Sequence, residues 1–457
     1  MGILAIVVSL LLLMYFAYRG ITVLILAPIM AALAVVMSGD ITVLLPAYTQ
    51  TFMHALGGYV IQFLPIFLLG ALFGQLMSDS GAAQAIARRI TDKLGTRHAI
   101  LTVVLACAVL TYGGVSLFVV AFAVYPIATV LFRDANIPKR LIPASIALGS
   151  FTFTMTALPG TPSIQNALPI PYFGTNVFAA PLLGTIAGVI MLGVGMAWLL
   201  SRAKRARVAN EGYGQHTEEA SHDEERPKVP LAQALLPLLL VIGINALFTY
   251  IVFPRMDFGP LEKQHPGLDP SKMAGLWALI IALATSCTVL ILMRLKHWKG
   301  LRETVNKGVF GFMLPLFNTA SEVGYGAVIA SLAGFALIRD AVLNVSPGNP
   351  LISEAIAMGT LAGITGSSSG GMSIALQTLG ADYLAMAHKA GISPELLHRV
   401  AVLASGSMDT LPQSGAIITL LAICRLTHRS SYGDIAVVTI VGPLIALVTV
   451  IALSGVI

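Results

Sequence analysis

Long apolar runs separated by short polar ones dominate the chain. They show neither the two-residue alternation of a half-buried strand nor one narrow helical stripe, so helices apolar on all sides are expected. Runs at 3–18, 21–38 and 60–77 approach the length of about 20 helical residues that a bilayer core requires. The first two are joined by Arg19-Gly20 alone, which makes them an antiparallel pair. Residues 47–59 are less apolar and contain Gln50 and His54, which suits a helix lying along the interface. A polar, basic stretch at 79–98 carries Arg88, Arg89, Lys93 and Arg97. Further spans are predicted at 141–167, 177–200, 231–253, 273–293, 309–325, 397–424 and 435–457, with a second interfacial helix at 326–345. Between 201 and 229 the chain is hydrophilic, opening with Arg202, Lys204, Arg205 and Arg207 and turning acidic at 218–225, as a solvated cytoplasmic linker would.

Four segments break the simple pattern. The run 99–132 is longer than one crossing needs, is interrupted at Tyr112-Gly113-Gly114 and has basic flanks at both ends. Positive loops stay cytoplasmic, so this run enters and leaves on one side as a re-entrant hairpin. The run 351–384, interrupted at 366–371, is its counterpart. The other two segments are spans that lose their helical character midway, at 156–163 and at 404–415. Lipid cannot satisfy the backbone groups that proline and glycine set free, so such breaks survive only inside protein or beside a wet cavity. Ten full crossings and two hairpins result, with both termini outside.

The hairpins and breaks recur in one order. Residues 135–142 lie over 390–397, 255 positions apart, and at nearly the same offset 112–116 meet 369–373. Leu158-Pro159 falls over Leu411-Pro412. An odd number of crossings separates the copies, so the second is inverted, and interrupted helices in inverted repeats point to an all-α membrane protein of the secondary-transporter kind. The expected division is a scaffold at 1–60, repeat 1 at 61–200, the linker at 201–230, connecting scaffold spans at 231–307 and repeat 2 at 308–457.

Composition agrees with a bilayer protein: 56% of the 457 residues are hydrophobic and 11% are charged, against about a quarter charged in soluble domains. The net charge of +6 sits largely in short loops, where it sets orientation. Cys107, Cys287 and Cys424 are far apart in apolar runs and read as small core residues. The apolar N-terminal run lacks a basic leader and a cleavage site, so it reads as a retained span.

Candidate chemistry collects at the four interruptions. Tyr112, Gly113, Gly114 and Ser116 come from one hairpin tip, and Ser367, Ser368, Ser369, Gly370, Gly371 and Ser373 from the other. The broken spans add Thr154, Thr156, Thr161, Ser163, Gln165 and Asn166, and then Ser405, Ser407, Thr410 and Gln413. Glycine-rich turns and helix N-termini offer N–H groups to a carboxylate, and hydroxyls and amides suit a hydroxylated solute. No Lys, Arg or His falls within the breaks, so one carboxylate is the expected load. Asp409 is the candidate for proton coupling, because desolvation favours a neutral acid; capping of the following half-helix is the structural alternative. Glu322 is the second candidate, with a place in water at a span end as its alternative. His54, His98, His388, His398 and His428 read as surface residues. No zinc-ligand spacing or phosphate-cradling loop is present, so neither a metal, a cofactor nor a nucleic-acid partner is called for.

The segment 70–84, GALFGQLMSDSGAAQ, with the following Ile86-Ala87-Arg88, resembles the gluconate permease (GntP-type) family of the ion-transporter superfamily. Ala135-Asn-Ile-Pro138, Leu158-Pro-Gly-Thr-Pro162 and Ser405-Gly-Ser407 extend the resemblance over nearly the whole chain. The resemblance implies proton-coupled uptake of a small hydroxylated monocarboxylate across the inner membrane, a mobile region carrying the hairpins, and a homodimer. The family's tip and break patterns carry more polar side chains than Tyr112-Gly-Gly-Val-Ser and Thr156-Ala-Leu-Pro-Gly-Thr-Pro do here. The chain is thus more similar to the 3-hydroxybutyrate branch, with gluconate or a related sugar acid as the alternative. Sodium coupling and an anion channel stay open at this point.

Overall fold

The computed structural model describes residues 2–39, 41–216, 229–265, 268–298, 300–346 and 348–455, and these contain helices and no strand. The acidic part of the linker, at 218–225, lies outside the described residues.

Among the described residues, five helices are long and apolar enough to cross a membrane: Ile41–Asp79, Pro181–Val208, Leu231–Arg255, Pro270–Met293 and His428–Leu453. The helix Leu301–Ser331, the shorter apolar helices Gly2–Tyr18 and Val23–Met37, and the two interrupted spans occupy the other segments that the sequence predicts to cross. Large apolar side chains such as Ile61, Phe122 and Val189 point outward, as they do where the surroundings are lipid. The three cysteines are buried and free.

The element order runs twice along the chain. A pair of spans (Gly2–Tyr18 and Val23–Met37, then Leu231–Arg255 and Pro270–Met293) precedes a long helix, Ile41–Asp79 or Leu301–Ser331. Next comes a short helix at a sharp bend. Ala82–Leu94 turns by 99° into Thr96–Tyr112, and Leu301–Ser331 turns by 99° into Phe335–Leu343. A helical hairpin, a broken span and a last crossing complete each half. The first hairpin is Ala99–Tyr112 with Leu117–Asp134, and the second is Pro350–Thr365 with Ser368–Ala390.

Two expectations need correction. Residues 47–59 are no separate interfacial helix but the start of the 39-residue helix Ile41–Asp79. Gln50 and His54 are exposed while Phe52 and Tyr59 are buried, and Phe52 lies against Gly324 of Leu301–Ser331, so packing carries the helix straight on. The second interfacial helix is confined to Phe335–Leu343, because 326–331 continue the long helix, with Gly326 against Ile374. The basic stretch 79–98 forms the amphipathic helix Ala82–Leu94, burying Ala82, Ala83, Ile86 and Ala87 and exposing Arg88 and Arg89.

An ionic cluster ties the last crossing to the first half. Asp434 accepts from Arg140 at 2.7 Å, Arg202 at 2.8 Å and Trp198 at 3.0 Å. Arg140 also pairs with Glu211 in the loop beyond Pro181–Val208, at 2.7 and 2.9 Å, and this holds the Glu211 carboxyl below its ordinary range.

Candidate functional site

Serine stands at the N-cap of four helices that restart after an interruption: Ser116, Ser163, Ser367 and Ser414. Its short hydroxyl competes for backbone N–H groups in a non-helical conformation, which favours this position. Ser163 accepts from the Asn166 amide and Ser367 from the Gly370 amide.

The first tip rests on the first break. Tyr112 donates to the Pro159 carbonyl at 2.7 Å, and Gly114, with φ +96°, lies against Pro162 and Phe73. Gly113 faces Leu238, and Ser116 faces Gly74. Most polar groups of this break satisfy the freed backbone. Thr154 donates to Gly149 O, Thr156 to Thr152 O and Ser163 to Met155 O, while Asn166 Nδ2 reaches Thr161 O and Val177 O. Gln165 is half-buried beside them, and the buried Thr161 hydroxyl has no hydrogen-bond partner.

The second tip rests on the second break in the same way. Ser368 donates to Ser405 at 3.0 Å, Gln413 donates to Gly363 O at 3.0 Å, and Gly366 abuts Ser414. Gly371 packs on the backbone of Leu361 and Ala362, which joins the two arms of the hairpin. Ser407 donates to Ala404 O, and Thr410 to Thr439 in the last crossing. Asp409 ends the helix Pro394–Met408, its carboxyl facing the Ser368 amide and its Oδ1 buried without a partner.

The two breaks meet each other. Gly406 lies against the methyl of Thr156, and beneath this contact runs a network that the sequence did not suggest. Arg399, fully buried, donates to Thr156 O at 3.0 Å, Ala179 O at 2.7 Å and Asn166 Oδ1 at 3.3 Å. His398 is equally buried, bridging Thr175 at 2.6 Å and Asn166 at 3.1 Å. Two expectations fall here. His398 is no surface residue, although His54, His98, His388 and His428 are exposed, and a cation does stand at the first break. Arg399 is drawn in because the frayed backbone at 156–179 presents acceptors that no helix satisfies, and His398 by the side chains of Thr175 and Asn166 on the same stretch.

A third grouping lies between the second hairpin and the two long helices. Glu322, buried in Leu301–Ser331, faces Gly370 so closely that a methyl there would overlap its carboxyl. Ser369 meets Thr319 at 3.4 Å and Ser367 at 3.2 Å. Tyr59 lies close to Ser373 and Thr319, and Tyr172 meets Gln377 at 3.2 Å. Tyr59 Oη, Glu322 Oε2 and Ser373 Oγ are all buried without a hydrogen-bond partner. Tyr59 and Ser373 face each other without a well-formed bond, and with the orphaned Glu322 oxygen they mark a place between the hairpin and the long helices where a ligand can supply bonds, since buried polar groups are normally paired. Tyr59, Thr319 and Gln377 escaped the sequence reading because they sit inside long helices, away from any interruption, and Tyr172 because it falls in the short helix Ile170–Phe173 beyond the predicted break.

Comparison with known proteins agrees with this architecture. A family model described as GntP family permease matches residues 1–331. An "Uncharacterized transporter YxjC" of Bacillus subtilis is 43% identical, with 100% of each chain covered. The "High-affinity gluconate transporter" of Escherichia coli is 32% identical over 39% of each chain. The Alcanivorax borkumensis YdaH transporter, at 14% identity, superposes with a TM-score of 0.57 over 90% of this chain and 88% of its own, a likeness of fold. The chain is a multi-pass membrane transporter, not an enzyme, and it belongs to the GntP permease family.

Proposed function

We propose that the chain is a proton-coupled symporter that imports a small hydroxylated monocarboxylate across the inner membrane, with both termini outside. The observation that carries this reading is the set of buried, unpartnered polar groups around the second hairpin: Tyr59, Ser373, Glu322 and Asp409. Two ionised carboxylates there would repel an incoming anion and would lack a cation of their own. With a proton on each, both become hydrogen-bond donors to it. Proton and anion therefore favour each other's binding, which is the physical requirement for symport. The fixed charge of Arg399, engaged with backbone carbonyls, biases the crossing of the breaks toward one anionic charge.

The repeated element order supports an inverted repeat, in which the hairpins and breaks form a mobile region against a scaffold of long helices. A homodimer of such scaffolds follows from the family resemblance. A short acid such as 3-hydroxybutyrate is the leading substrate, because few unpaired hydroxyls remain once Thr154, Ser163, Ser407 and Thr410 are used internally. The name of the Escherichia coli relative favours gluconate as the second reading. Purified protein in liposomes, given an inward pH gradient, decides between them. Labelled 3-hydroxybutyrate should accumulate and resist competition by gluconate; competition in the opposite order reverses the assignment. Uptake that follows a sodium gradient and ignores pH moves coupling to a cation site.

A further inference from the structure

Glu354 lies on the outward arm of the second hairpin, Pro350–Thr365, and is fully buried with neither carboxyl oxygen hydrogen-bonded. The titratable group beside it is Tyr383 of the returning arm, whose hydroxyl meets Ser353 at 3.2 Å. No ion pair among the described residues involves Glu354; on the adjoining short helix Phe335–Leu343, Arg339 is committed to Asp382 at 2.6 Å. His398 and Arg399 on the neighbouring span are committed to Asn166, Thr175 and Ala179. An ionised Glu354 would thus be a charge with neither cation nor donor, a far costlier burial than that of a neutral acid.

Its level along the hairpin is set by two glycine contacts. Gly359 abuts Ala404 O and Gly363 abuts Met408, so the arm runs alongside Pro394–Met408 toward Asp409 at the tip. Glu354 lies three turns of helix before the tip, at about 1.5 Å per residue roughly 16 Å from Thr365. It is separate from Asp409 and Glu322, each of which has one orphaned carboxyl oxygen where Glu354 has two.

We infer that Glu354 is a further proton-carrying carboxyl, on the hairpin itself, loaded independently of Asp409 and Glu322, so that one more proton accompanies each substrate than those two carry. The inference rests on the symport reading above. Glu354→Gln, which keeps the shape and removes the exchangeable proton, should bind substrate with unchanged affinity. Its steady-state accumulation should fall about tenfold for each unit of imposed pH gradient, the effect of losing one coupled proton. Accumulation equal to that of the parent chain overturns the inference. A second measurement stands apart from transport and from the variant's folding. Dicyclohexylcarbodiimide modifies carboxyls that hold a proton in apolar surroundings, and mass spectrometry of the parent protein at neutral pH should find the adduct on Glu354. An unmodified Glu354 overturns the inference. If the parent chain ignores a pH gradient, the symport reading fails, and the labelling still decides whether Glu354 carries a proton.

Discussion

A methyl group added at Gly406 tests how the two halves meet. The new carbon would overlap Thr156 Cγ2 and would stand 3.3 Å from Thr156 Cβ and 3.6 Å from its hydroxyl. Carbon pairs are best separated by about 3.5–4.0 Å, so one of the two segments must move. Thr156 is poorly placed to yield, because its hydroxyl is bound to Thr152 O at 3.1 Å and its carbonyl to Arg399 at 3.0 Å. Overpacking of this kind costs about 1–3 kcal/mol. Thr156→Ser deletes the offending methyl and keeps the hydroxyl, so the double variant should recover most of that loss, a coupling of roughly 0.5–3 kcal/mol. Reversible unfolding in mixed detergent micelles, run on the parent, both single variants and the double, reads the coupling directly. Strictly additive losses would refute the contact, and with it the crossing of the two breaks.

Two further outcomes follow from the same geometry. Arg399→Met leaves Thr156 O and Ala179 O short of donors, while Asn166 Oδ1 keeps His398, at about 1–3 kcal/mol for each buried group left unsatisfied, and the same unfolding assay should report a loss larger than that of Gly406→Ala; an unchanged midpoint contradicts the network. Gly370→Ala meets the Glu322 carboxyl first, the end of a flexible side chain, whereas Gly371→Ala drives a methyl into the backbone of Ala362. The first should fold and lose gradient-driven uptake, and the second should lose folded yield; the reverse order contradicts the placement of Glu322.

The interruptions were legible because they oppose the rest of the sequence. Pro159, Pro162 and Pro412 with clustered hydroxyls cannot be ordinary lipid-facing helix, and the glycines at 113–114 and 370–371 mark the hairpin tips. Residues that act through tertiary contact were not legible in this way. Arg399 and His398 follow Pro394-Glu395 at the start of a helix, where charge usually faces water, and only their reach across to 156–179 shows otherwise. The available signal was the apolar run from Val400 to Ala404 that immediately follows them. Glu354 was hidden likewise by its nearness to the polar Asn349-Pro350 cap, although Leu351, Ile352, Ala355 and Ile356 enclose it. Residues 47–59 misled for the opposite reason, since Gln50 and His54 lower the average hydropathy while projecting from a helix held by Phe52 and Tyr59.

Asp409→Asn most directly tests whether a proton on the second break drives the anion. In liposomes with an inward pH gradient and no sodium, the parent protein should concentrate labelled substrate above its outside level. The variant should exchange internal for external substrate without concentrating it. Full accumulation by the variant, collapsing when the pH gradient is dissipated, would place coupling elsewhere and contradict the role given to Asp409.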